Sequence, residues 1–190
     1  MIKQYKAFIS YSHADDAYLS KLQKHLSQMK RNGELESWSD HEIHVGSDLN
    51  TEVFEALDSA ELFIALLSAD YLNSSFCYEK EFERALELRQ QSKLTIVPII
   101  CRPCDWQESP FGNLLALPKD GKAISEWDNE DTAFYNITQG LRKLTQAKGS
   151  TAYFIRESHK GKTTKARKYQ VKKDFDKIQK LEFIDNIFSQ

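Results

Sequence analysis

The chain has too few cysteines for a disulfide framework: three in 190 residues, an odd number. That count fits a reducing compartment. No apolar run approaches the ~20 residues that a membrane-spanning helix needs. The first residues, MIKQYKAFISY, read as the approach to a strand rather than as a secretory leader. The expected location is therefore the cytoplasm, with no membrane contact. Two phosphate-binding signatures are also missing. There is no GxGxxG and no GxxxxGK[ST], so a nucleotide would not be held in the Rossmann or P-loop manner. Cys101-Arg102-Pro103-Cys104 forms a CxxC, but Cys77 is the one further thiol and the five histidines are scattered. A four-ligand zinc site, or any metal, is not expected. A thioredoxin-like pair should open a helix after a first strand, whereas this one follows the fourth strand candidate. It reads as structural, with Trp106 packing nearby or lining a cleft. The chain shows no internal repeat and no low-complexity tract.

What is present is ordinary for a globular protein: 41% hydrophobic and 28% charged residues. The length suits one well-packed domain with an appendage. A net charge of -2 hides an asymmetry. Residues 150–190 carry ten Lys/Arg and five Asp/Glu, while 1–149 carry 16 basic and 23 acidic residues. The acidic body does not suit nucleic acid.

Short apolar runs alternate with helical patterns. Strands are predicted at 5–11, 36–40, 62–67, 95–100 and 122–124, and helices at about 15–30, 48–59, 78–91 and 131–145. "LFIALL" and "TIVPII" are nearly all apolar, as in strands covered on both faces. The alternation implies an α/β fold, a parallel sheet flanked by helices. Ligands in such sheets settle beyond the carboxyl ends of the strands. That rule singles out the loops at 10–15, 40–48, 68–77 and 101–112. Residues 148–165 lack periodicity and read as a linker. A separate amphipathic helix is predicted at about 166–188, where Val171, Phe175, Ile178, Leu181 and Ile184 recur at spacings of four and three. The expected division is 1–147 and 148–190. The tail helix packs back on the domain, or serves assembly or a protein partner. Its lysines are interspersed with Asp174, Asp176, Glu182 and Asp185, which argues against membrane or nucleic acid.

The loops carry a family likeness. "YKAFISYSHAD" at 5–15 resembles the first box of TIR (Toll/interleukin-1 receptor) domains, and "WSDHEIHVGSDL" at 38–49 resembles the second. "LLSADYLNSSFCYEKEFERAL" at 66–86 is similar to the segment that carries the family's glutamate. "VPIICRPCDW" and "LPKDGKAISEWDNEDTAFYNITQGLR" look like the later segments of bacterial members. The likeness covers about 4–145. It implies a flavodoxin-like, five-stranded parallel sheet with the C-terminal helical extension outside it. It also implies one of two functions. Some members cleave the nicotinamide–ribose bond of NAD, giving ADP-ribose or cyclic variants that signal in antiphage immunity. Others are non-catalytic adaptors that act through TIR–TIR contacts. A third reading, binding without turnover, uses the same pocket. NAD is then a substrate, with no cofactor, and self-association is expected.

In register with the family, the catalytic glutamate is Glu81, four residues after Cys77, which stands where an aromatic is usual. Glu79 and Glu83 are two residues away on a helix and project elsewhere. Breaking a glycosidic bond to nicotinamide develops positive charge on the ribose. The leaving group departs as a neutral pyridine, so one carboxylate suffices and no general acid is required. Glu81 could equally be a solvated helix carboxylate paired with Lys80, Arg84 or Lys93. The substrate-binding candidates are Phe8, Ser10, Ser12 and His13 around the first loop, Trp38, Asp40, Glu42 and Gly46 around the second, and Cys77. Each has a plainer role to set against this: His13 as a turn residue, Trp38 as core, Gly46 as backbone freedom. Ser74 and Ser75 suit helix capping better than ligand binding.

Overall fold

The computed structural model describes residues 3–39 and 49–160. The chain falls into two compact units, Met1–Arg142 and Lys143–Gln190. The first contains a sheet of four parallel strands: β1 (Tyr5–Ser10), β2 (Leu35–Trp38), β3 (Leu62–Leu67) and β4 (Thr95–Ile100), in the order β2-β1-β3-β4. Helices α1 (Asp16–Arg31), α2 (Leu49–Ser59), α3 (Ala69–Asn73), α4 (Phe82–Gln90) and α5 (Glu130–Lys160) connect or follow them. Of the second unit, the described part is the remainder of α5, which is helical through 148–160 where the sequence has no clear periodicity. The amphipathic tail helix predicted at 166–188 lies outside the described residues.

Every residue of β3 is buried, and β4 is buried apart from a half-exposed Thr95. Both-face burial is what the continuous apolar runs demand. Alternate strand residues Phe8, Phe63, Ala65, Leu67, Ile96 and Ile100 join Val53 and Leu57 of α2 and Phe82, Ala85 and Leu88 of α4 in one cluster. Residues of the opposite parity (Ile9, Ile64, Leu66, Val97 and Ile99) are buried as well. The apolar stripe of α1 buries Leu19, Leu22, Leu26 and Met29 outside that cluster. Burying each of these side chains contributes ~1.5–3 kcal/mol. Helix α1 meets the start of α5 through Lys21–Glu130, His25–Asp131 and a His25–Phe134 stack at 5.2 Å.

The sheet differs from expectation in one respect: among the described residues there is no fifth strand. The stretch predicted as a strand at 122–124 lies instead around two 3-10 turns, Lys119–Gly121 and Ile124–Glu126. Pro98 explains much of this. Its carbonyl, on the outer side of β4, accepts from the Leu117 amide at 2.8 Å, and Ile100 N–H donates to the Leu117 carbonyl at 2.8 Å. On that same side Pro98 has no N–H to give, so a regular outer ladder would lack a bond there. Leu117 makes a single parallel bridge with Ile99, and Ser125 N–H closes the edge on the Cys101 carbonyl at 3.1 Å.

The chain leaves β1 for β2 on one side and returns to β3 on the other. The connections therefore diverge at the carboxyl ends of β1 and β3, and a crevice at such a switch point is the usual ligand position in an open parallel sheet.

Candidate active site

Three elements bring side chains to that switch point. Ser10 is the last residue of β1, where it pairs with Ala65 of β3. Tyr71 belongs to α3, which begins directly after β3 with Ser68 as its cap: the Tyr71 amide donates to Ser68 Oγ at 3.1 Å. Glu81 closes a seven-residue π-helix, Ser75–Glu81, that leads into α4. π-Helical turns are rare and recur at functional sites. Ser74 caps this one, accepting from the Cys77 amide at 3.3 Å, so the capping role expected of it is what the structure shows.

The π-helix decides where the glutamates go. Glu79 and Glu83 are exposed, whereas Glu81 is buried at 4% exposure. Glu81 is thus not a solvated helix carboxylate. Arg84, one of the partners considered for it, is instead engaged by Asp58 at 2.8 Å and Glu87 at 2.6 Å. Ser10 Oγ donates to Glu81 Oε2 in a short hydrogen bond and lies 3.0 Å from Tyr71 Oη. Cys77 is buried on the same turn, and its thiol donates to the Tyr11 carbonyl at 3.2 Å, fastening the π-helix to the loop after β1.

A second buried group lies beside the first. Asp15 has no solvent exposure and accepts from Ser68 Oγ at 2.5 Å and from Arg102 Nε and Nη2 at 3.1 and 2.7 Å. Arg102 also donates to Asp70 at 2.5 Å. Its hydrogen bonds to Asp70 and Asp15 raise the guanidinium pKa further, so it is held charged. This network joins the ends of β1, β3 and β4 and sets the start of α3, from which Tyr71 reaches Ser10. The sequence had pointed to these loops, but not to Tyr71, Asp15, Ser68 or Arg102. The usable signal was position alone: a serine directly past β3, an arginine two residues past β4 and an aspartate five residues past β1.

The other candidates are placed as follows. Phe8 is fully buried in the core cluster and stacks on Trp38 at 5.1 Å and on Phe63 at 5.8 Å, and Trp38 packs against that cluster while only partly buried. Ser12 leads into a 3-10 turn, His13–Asp15, and its carbonyl accepts from the Asp15 amide at 2.7 Å. His13 is exposed on that turn, its ring 5.7 Å from Tyr11. Asp40, Glu42 and Gly46 lie outside the described residues. Burial pushes the Cys101 thiol well up, and pushes Cys104 up less. Raised thiols are poor nucleophiles at neutral pH. Trp106 packs against the main core cluster and against Gly121, where a Cβ would come within 2.8 Å of the indole. Among the described residues no three His, Cys, Asp or Glu side chains are grouped to hold a metal, and no helix is long and apolar enough to cross a membrane.

Comparison with known proteins agrees with this architecture. A crystal structure of the TIR domain of the Toll-related receptor TRR-2 from Hydra magnipapillata superposes with a TM-score of 0.51 at 17% identity, covering 73% of this chain and 98% of that one. At that identity the likeness speaks for the fold alone. The TIR domains in the structure of the activated Roq1 resistosome, which directly recognises the effector XopQ, give a TM-score of 0.43 at 14% identity over 92% of this chain and 99% of that one, too loose to build on. The uncharacterized protein y4lF of Sinorhizobium fredii (strain NBRC 101917 / NGR234) is 39% identical over 136 residues, 72% of this chain. The match takes in 42% of y4lF, so the chain spans less than half the length of that relative. The family model described as TIR domain matches residues 7–136, the stretch that holds the sheet, the switch point and Glu81. The chain belongs to the TIR domain family.

Proposed function

We propose that the TIR unit is an NAD glycohydrolase, with Glu81 as the group that stabilises the ribosyl transition state. The observation that carries this reading is a buried carboxylate at the switch point, singled out from two exposed neighbours by a π-helix and held by Ser10. In the proposed reaction the bond from the ribose anomeric carbon to the nicotinamide nitrogen breaks, and its electron pair leaves with the neutral base. The positive charge left on the ribose faces the Glu81 carboxylate. Water then attacks the anomeric carbon and releases a proton, giving ADP-ribose. An adenine nitrogen attacking instead gives a cyclic product. Either product suits a role as a signal, including antiphage signalling, as the family likeness implies.

The depth of Glu81 supports control by assembly. A carboxylate at 4% exposure meets a ribose after the loops at the strand ends rearrange, and self-association or a partner at the C-terminal helix would supply that rearrangement. The test is nicotinamide release, followed by chromatography, from concentrated protein incubated with NAD, with and without a crowding agent. Release that falls by at least 10²–10³ in Glu81→Gln is expected, in line with loss of one preorganised electrostatic contact. The Ser10 hydroxyl can still donate to the amide oxygen, so the variant should fold. Wild-type turnover in Glu81→Gln refutes the assignment. Silence of the wild-type chain under every assembly condition points instead to a non-catalytic adaptor.

A further inference from the structure

We propose that Tyr71 is a positioning residue for Glu81, acting through Ser10. Proton supply sets the direction of these bonds. The Ser10 hydroxyl has one, and it is given to Glu81 Oε2. The contact between Ser10 Oγ and Tyr71 Oη at 3.0 Å is therefore a bond in which the tyrosine donates and the serine accepts. Tyr71 Oη also reaches the Cys77 carbonyl at 3.5 Å, a longer and weaker contact than the one to Ser10. The result is a one-way chain, Tyr71 to Ser10 to Glu81, in which each donor polarises the next. A phenol is a stronger donor than an aliphatic hydroxyl, and its place at the head of the chain strengthens the bond that reaches the carboxylate.

The anchor is rigid. Tyr71 is fully buried, with its ring edge-on to Phe111 at 6.0 Å and 70°. Its amide is held by Ser68, whose own hydroxyl donates to Asp15. The carboxylate orientation is thus fixed from the first turn after β3, by a residue six positions before Cys77, whose thiol fastens the π-helix. What the chain fixes is one oxygen of Glu81, and with it the direction in which the charge is presented.

The catalytic half of this inference rests on the NAD-cleaving reading; the hydrogen-bond half does not. The experiment keeps them apart. Tyr71→Phe, Ser10→Ala and the double variant are compared with wild type for kcat and KM of nicotinamide release. Ser10→Ala removes a hydrogen bond to a charged group and should lower kcat by roughly 10–100-fold; Tyr71→Phe removes its support and should cost roughly 3–10-fold. KM should stay within about twofold, because ring packing and the bulk of the site are unchanged. The double variant should lose less than the product of the two single losses, since the tyrosine acts through the serine. A Tyr71→Phe variant with wild-type kcat, an effect confined to KM, or a double variant that multiplies the two losses each overturns the proposal. Infrared spectra of protein labelled with ¹³C-glutamate supply the second readout, the Glu81 band being assigned by its loss in Glu81→Gln. That band should move in Tyr71→Phe, and its constancy overturns the proposal even if the wild-type chain releases no nicotinamide, the result that would sink the glycohydrolase reading alone.

Discussion

Removing the Asp15 side chain is the sharpest test of how the strand ends are held. Asp15→Ala leaves the Ser68 hydroxyl without its acceptor and strips two donors of Arg102 of theirs. Breaking a fully buried ion pair from one side costs ~3–5 kcal/mol. Here Arg102 is 38% exposed and keeps Asp70, so water and that second carboxylate recover part of the loss. The exposed Arg102–Asp70 arm is itself worth ~0–1 kcal/mol. The net expectation is a loss of ~2–3 kcal/mol, or roughly 6–9 °C in Tm for a unit of this size. Arg102→Met removes the other side and should cost more, ~3–4 kcal/mol, because it strands a carboxylate with no exposure. Combining Asp15→Asn with Arg102→Met should recover part of that cost, since no charge is then stranded. Urea unfolding followed by circular dichroism measures all three, with an unchanged m-value as the sign that only stability has moved. An Asp15→Ala protein within ~0.5 kcal/mol of wild type would refute the reasoning, for surface substitutions alone are that mild.

Two further predictions concern packing and pH. Gly112→Ala would set a Cβ 1.9 Å from the Gln107 carbonyl oxygen, a backbone atom that cannot swing away. A loss of ~3 kcal/mol is expected, and a change below ~0.5 kcal/mol in urea unfolding would show that the 107–112 turn adjusts at little cost. Burial raises the Cys101 thiol above its ordinary value of 9.0, so the folded state keeps a proton that the unfolded chain gives up. The stabilisation is complete below about pH 8.5 and is lost as pH rises through 9 and towards the folded pKa, with a slope of at most ~1.4 kcal/mol per pH unit. Cys101→Ala should flatten that alkaline fall, and parallel wild-type and variant curves between pH 8 and 10 would contradict it.

Much of the fold was legible because burial imposes a period. Leu62–Leu67 and Thr95–Ile100 are covered on both faces and read as continuous apolar runs. Leu19, Leu22 and Leu26 mark the single buried stripe of α1. What escaped has no period to read. Helix α3 spans five residues, less than two turns, and the π-helix before α4 follows a register that no amphipathic pattern announces. The stretch at 122–124 looked like a strand from its composition, yet the edge it would join is shaped by Pro98 and already occupied by Leu117 and Ser125. At the site, family register picked out Glu81, and Ser10 and Cys77 fell beside it. Tyr71 escaped because a tyrosine at a helix start looks like any buried aromatic until its hydroxyl is placed.

The closed outer rim of β4 limits how copies of this chain can join. A sheet grows by offering amides and carbonyls to an incoming strand, and here one amide is absent while its neighbours are spoken for. Intermolecular strand addition along the Pro98–Ile100 stretch is therefore blocked. A higher-order array that encloses Glu81 does not grow by strand addition there, and its diffraction or electron-microscopic repeat should lack a 4.7–4.8 Å spacing running across β4.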